Sequence, residues 1–166
     1  MGNFKNKISK FNILMCSFLS KIICVCMFIL FGIVLISVFS RYVLNNAFTW
    51  SEDATLIIMI WMTMLGAPIG LLQAKHVAID MLLNRVPKKA ATIIKIINIL
   101  SIIFISGVYL YFGWKFSIKG MRRIVPSIEW LPFGFAYLSL PIGYGLMIPI
   151  CIQQLLETLT PNNKRS

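Results

Sequence analysis

Residues 52–76, EDATLIIMIWMTMLGAPIGLLQAKH, decide the architecture. Two acids open the stretch, residues 54–73 carry no charge, and Lys75 and His76 close it. A helix rising about 1.5 Å per residue needs roughly 20 residues to cross about 30 Å of hydrocarbon, so 54–73 reads as one membrane span with polar ends. Three more uncharged stretches are long enough: about 22–40 between Lys21 and Arg41, 96–114 between Lys95 and Lys115, and 133–155 ahead of Glu157. With 58% hydrophobic and 13% charged residues in 166, the composition is too apolar for an ordinary soluble domain. The run at 22–40 exceeds the roughly 7–15 residues of a signal-peptide core and no small-x-small cleavage site follows it, so the first helix is expected to remain.

Within the second span, Gly66 and Gly70 stand four apart and so share one helix face, which lets another helix approach closely. Pro68 between them removes a backbone donor and can kink the span. Beyond Lys75, the polar residues His76, Asp80 and Asn84 recur every four positions while Val77, Ile79, Met81, Leu82 and Leu83 take most of the remaining circumference. That pattern predicts an amphipathic helix over about 75–85 lying in the membrane plane as an arm, ended before Pro87. A similar segment over about 8–19, with Ile8, Phe11, Met15, Phe18 and Ile22 at helical spacing, predicts an in-plane lead-in to the first span. The expected fold is therefore an all-α integral membrane protein: one domain over 1–166, four transmembrane helices and two in-plane amphipathic helices.

The formal net charge is +11, from 16 Lys and Arg against 5 Asp and Glu. These cations sit at membrane boundaries rather than on one soluble face, which suits anionic lipid headgroups and argues against nucleic acid. Eleven of them fall in the N-terminal tail, the connection after the second span and the C-terminus, against five on the other side. Both termini are accordingly expected in the cytoplasm. The third connection runs against this trend, since Lys115, Lys119, Arg122 and Arg123 would all lie outside.

The first connection, RYVLNNAFTWSED at 41–53, has Asn45 and Asn46 as turn formers and then Thr49, Trp50, Ser51 and Glu52. Thr49 and Glu52 fit a capping box, and Glu52 and Asp53 lie where a helix N-terminus favours negative charge. The same acids also fit an outward-facing docking point steadied by Arg41. Trp50 belongs in the interfacial aromatic belt under either reading.

Chemistry is constrained by what the sequence lacks. His76 and Asp80 at i and i+4 do not complete a metal site, and no second His exists. A lateral hydrogen bond or ion pair fixing the arm, or a subunit contact, suits them better. Cys16, Cys24, Cys26 and Cys151 form no CxxC and read as small apolar packing residues. No phosphate loop, acid pair or Ser/His/Asp set is present, so no enzyme and no cofactor is expected. No Asp, Glu, Lys, Arg or His lies near the middle of any span, whereas ion and substrate pathways usually leave such residues. The chain reads as a scaffold for something else that moves substrate.

The motifs RYVLN at 41–45, WSE at 50–52, Trp61, LGA at 65–67, HVAID at 76–80 and PIG at 141–143 resemble the small membrane subunit of tripartite ATP-independent periplasmic (TRAP) transporters, over residues 35 to 145. Asp53 stands where a second Glu is common, and AKH replaces a more usual Gly-x-His. The resemblance implies a bacterial inner-membrane complex of this subunit, a large membrane subunit carrying the substrate and sodium sites, and a periplasmic binding protein that delivers an organic acid such as sialic acid or a C4-dicarboxylate. It implies a scaffold role beside an elevator-type transport domain. Gly66, Pro68, Gly70 and Trp61 would pack on the large subunit, and Arg41, Thr49, Trp50, Glu52 and Asp53 would face the periplasm. The competing reading is a stand-alone four-span transporter or the membrane anchor of an enzyme complex.

Overall fold

The structure, a computed structural model, describes the backbone of residues 2–46, 48–83 and 88–159 and the side chains of 6–46, 48–73 and 90–158. Helix α1 spans Gly2–Val43, α2 Thr49–Leu83 and α3 Lys88–Gly120. Strands β1 (Ile124–Val125) and β2 (Ile128–Pro132) follow, then the short helix α4 (Phe133–Tyr137) and α5 (Ser139–Leu159). Among the described residues, four helical stretches are long and apolar enough to cross a membrane: Asn6–Val43, Thr49–Gln73, Ala90–Gly120 and Phe133–Thr158.

Both segments read as in-plane helices are helical, and both are continuous with the span beside them: residues 8–19 belong to α1, and 75–83 are the last turns of α2. Pro68 sits inside α2 without ending it. The face of the lead-in differs from the expectation. Phe11 and Phe18 are exposed, whereas Asn12, Cys16 and Leu19 are buried, so α1 packs along a stripe that begins with an amide. The cause is α5: the Asn12 Nδ2 donates to Gln153 Oε1 at 2.7 Å and to the Pro149 carbonyl at 3.2 Å.

Helix α5 lies between α2 and α3; α1 packs on α2, and α2 barely meets α3. Small residues make these approaches possible, as they do wherever lipid gives helices no hydrophobic reason to associate. Pro68, fully buried, has no N–H for the Met64 carbonyl four residues back. Gly143 of α5 lies against that carbonyl: a Cβ on Gly143 would stand 2.7 Å from Met64 O. On the other side of α5, Gly120 of α3 meets Gly134 of α4 backbone to backbone. A Cβ on Gly134 would lie 2.6 Å from both Met121 N and Ser117 O, and the Ser117 hydroxyl donates to the Gly134 carbonyl at 3.1 Å.

The antiparallel hairpin β1–β2 between α3 and α4 is an element the sequence reading did not anticipate. It crosses to the start of α2, where Val125 is buried with Ile57 and Ala136, and Trp61, Ile128, Leu131 and Phe133 pack around them. The fourth span runs from Phe133 as expected, with a one-residue turn at Leu138 where α4 ends and α5 begins.

Candidate functional site

The residues singled out for function gather at the hairpin end of the bundle and along α2. Asn45 has a φ of 50°, a left-handed conformation that Asn tolerates, and it turns the chain out of α1. Ser40 closes the helix: its Oγ donates to Asn46 O at 2.6 Å, and its carbonyl accepts from the Leu44 and Asn46 N–H groups. This turn brings Arg41 to Glu52, with Nη2 to Oε1 at 2.7 Å and both side chains more than half exposed. Beneath them the Ser37 and Ser51 hydroxyls meet at 2.9 Å.

The capping box is not what forms. Helix α2 starts at Thr49, one residue earlier than a Thr49 cap requires; Ser51 Oγ donates to Phe48 O at 2.7 Å, and Glu52 turns to Arg41. Asp53 is also engaged, because its Oδ2 accepts the Ser127 hydroxyl of the hairpin. Two neighbouring acids thus hold two different elements: Glu52 ties α2 to α1, and Asp53 ties α2 to the hairpin. Trp50 is exposed beside Phe48, with ring centroids 6.0 Å apart.

A groove of about 460 Å³ opens between α1 and α2. Val34, Val38 and Leu56 wall it, Ser37, Ser51 and Thr55 contribute hydroxyls, and Arg41 and Glu52 line it. The Ser51 and Thr55 hydroxyls already donate to backbone carbonyls, and the guanidinium is already paired. An organic anion would have to displace a carboxylate to bind there, so the groove suits an apolar occupant.

Along α2 the expected packing residues divide. Trp61 turns into its own chain, against the Ile57–Val125–Ala136 cluster, and its ring lies 5.2 Å from that of Phe135. Pro68 serves the α5 seam. Gly66 approaches only Ile23 of α1, at 3.9 Å from a virtual Cβ, and Gly70 has nothing within 4 Å. The glycine that the α2–α5 seam requires is Gly143, in the PIG motif. The side chains of His76 and Asp80 and the whole of Asn84 lie outside the described residues. No group of three or more His, Cys, Asp or Glu gathers among the described residues.

Sequence reasoning missed the polar pins at the opposite end. Asn12 joins Gln153, whose Nε2 donates to Glu157 Oε1 at 2.9 Å, and Gln154 Nε2 reaches Leu71 O at 3.1 Å. The signal was there: adjacent glutamines in an otherwise apolar helix turn toward protein rather than lipid.

The chain is similar to known proteins over most of its length. The chain is 26% identical over 140 residues to a candidate TRAP transporter small permease protein of Haemophilus influenzae, covering 84% of this chain and 86% of that one. It is 27% identical over 100 residues to the C4-dicarboxylate TRAP transporter small permease protein DctQ of Rhodobacter capsulatus, covering 59% of this chain and 44% of that protein. It is 33% identical over 60 residues to the sialic acid TRAP transporter permease protein SiaT of Haemophilus influenzae, covering 36% of this chain but only 10% of that longer protein. The profile of the tripartite ATP-independent periplasmic transporters, DctQ component, matches residues 30–160, and this multi-pass membrane chain belongs to that family of small TRAP permease subunits.

Proposed function

We propose that this chain is the scaffold subunit of a sodium-coupled importer of an organic acid, and that it supports a large membrane subunit rather than moving substrate itself. The observation that carries the reading is α1. None of its most apolar 18-residue window is buried within the chain, although α1 is as long as any span. Such a helix offers its surface to lipid and to a neighbouring membrane subunit. The brief match to the much longer SiaT permease supports the same reading, since that protein has most of its length beyond the shared segment.

In this reading the complex sits in a bacterial inner membrane with both termini cytoplasmic and the hairpin end periplasmic. The large subunit carries the substrate and sodium sites and moves its transport domain as an elevator against a fixed wall that this chain widens. The open face at Gly70 receives the large subunit. A periplasmic binding protein carrying sialic acid, a C4-dicarboxylate or a similar acid docks at the hairpin end, where Trp50, Arg41 and Glu52 are exposed.

Reconstitution tests the proposal. Liposomes containing this chain alone should take up no organic acid, and adding the large subunit and loaded binding protein should produce sodium-dependent uptake. Uptake by the chain alone, or its isolation from native membranes without a large hydrophobic partner, would refute the scaffold reading.

A further inference from the structure

The unusual charge of the third connection has a structural setting. Lys115 and Lys119 are not in a loop: they lie on the last turns of α3, four residues apart, and Arg122 follows in the turn just past the end of the helix at Gly120. All three are exposed, and no carboxylate lies within ion-pair distance of them among the described residues. Lys115 is held over the Tyr111 ring, its Nζ 4.6 Å from the centroid. The seam residues Gly113, Ser117 and Gly120 occupy the opposite side of α3, buried against α4 and α5. The cations therefore point away from the bundle, at the edge of the helix arrangement.

Helical spacing continues this stripe down the span as Tyr111, Val108, Phe104, Leu100 and Ile97, all exposed, Phe104 at 73%. One face of α3 thus presents an apolar ladder the length of an acyl chain beneath Lys115 and Lys119, about 6 Å apart along the axis, with Arg122 in the turn beyond them. That order of chemistry matches an amphiphile with an anionic head. An acidic protein would use the cations and leave the ladder uncovered.

We propose that this edge of α3 is a binding site for an anionic phospholipid, its phosphate held by Lys115, Lys119 and Arg122 and a chain lying on Phe104 and Leu100. The site does not depend on which side of the membrane the hairpin end faces. Binding here also accounts for cations that run against the charge bias of the other connections, because the lipid phosphate they share offsets their charge.

Trp114, exposed one residue before Lys115, gives a local readout. In a full-length background with Trp50, Trp61 and Trp130 replaced by Phe, brominated phosphatidylglycerol in vesicles should quench Trp114 at least about fivefold more than equimolar brominated phosphatidylcholine, because even one engaged surface cation contributes about a fivefold preference. The triple variant Lys115→Gln/Lys119→Gln/Arg122→Gln should lose the difference, and Lys115→Arg/Lys119→Arg should keep it. Equal quenching by the two lipids in the background chain overturns the proposal whether or not the triple variant folds. A triple variant that keeps its lipid preference but loses capture of the binding protein overturns it in favour of an acidic protein partner.

Discussion

Replacing Gly143 with Ala should loosen the α2–α5 seam. The new Cβ would lie 2.7 Å from Met64 O, 3.0 Å from Met64 Cβ and 3.1 Å from Met64 C, all in or beside a helix backbone that cannot swing aside. Carbon-to-carbonyl contacts settle at about 3.3–3.6 Å, so α5 must withdraw by roughly 0.6 Å. A gap of about 0.5–1 Å forfeits a quarter to a half of each dispersion contact along the seam, and overpacking of this kind costs about 1–3 kcal/mol. Alanine returns up to about 1 kcal/mol through its helix propensity, leaving a net loss of about 0–2 kcal/mol and a difference of about 1–3 kcal/mol from glycine-to-alanine controls that gain the propensity without the clash. Reversible unfolding of the full chain in mixed detergent, followed by helicity, measures this directly. Gly66→Ala and Gly70→Ala are the controls, since their added methyls meet one side-chain carbon at 3.9 Å and nothing within 4 Å, respectively. A Gly143→Ala chain as stable as these two controls would show that the close approach of Gly143 to Met64 does not hold the bundle.

Gly70→Leu should leave the unfolding of the isolated chain unchanged but reduce co-purification of the large subunit; unchanged co-purification would move the interface off that face. Asp53→Ala should free the hairpin at a cost of about 1–3 kcal/mol by leaving Ser127 without its acceptor, measurable as faster proteolysis within 121–132, and unaltered cleavage would deny the tether. Glu52→Lys, which breaks an exposed ion pair, should change stability by only about 0.2–1 kcal/mol, with an effect on uptake that fades at high salt. Asn12→Leu should destabilise by about 0.5–2 kcal/mol, and adding Gln153→Leu should restore most of that because no amide is then left unpaired; additive losses would mean that the two side chains do not act as a pair.

The spans were legible because charge stops at the membrane boundary. Which faces pack was far less legible, because hydrocarbon and protein interior are equally apolar and periodicity then carries no record of inside and outside. Phe28 is 73% exposed and Ile150 fully buried, yet both are large apolar residues in apolar helices. The sequence signs that did report burial were polar or small: Asn12, Gln153 and Gln154 at one end, and Gly120, Gly134 and Gly143 along the seams. The Arg41–Glu52 pairing follows from a turn set by Asn45 and was open to sequence reasoning. The Asp53–Ser127 tether joins residues 74 positions apart and depends on a short hairpin with no strong turn signature.

The order of the helices in space differs from their order in the chain, and this governs how the molecule is put together. During synthesis α1 and α2 emerge before α3 and can pair at once. Helix α3 enters the bilayer with almost no surface on α2 to hold it, and it stays a lodger among lipids until α5, made after it, wedges between the two. A chain stopped before residue 139 would consequently hold one finished helix pair and a third span fastened to it chiefly at one end, through the Ile57–Val125–Ala136 cluster and the hairpin's grip on Asp53.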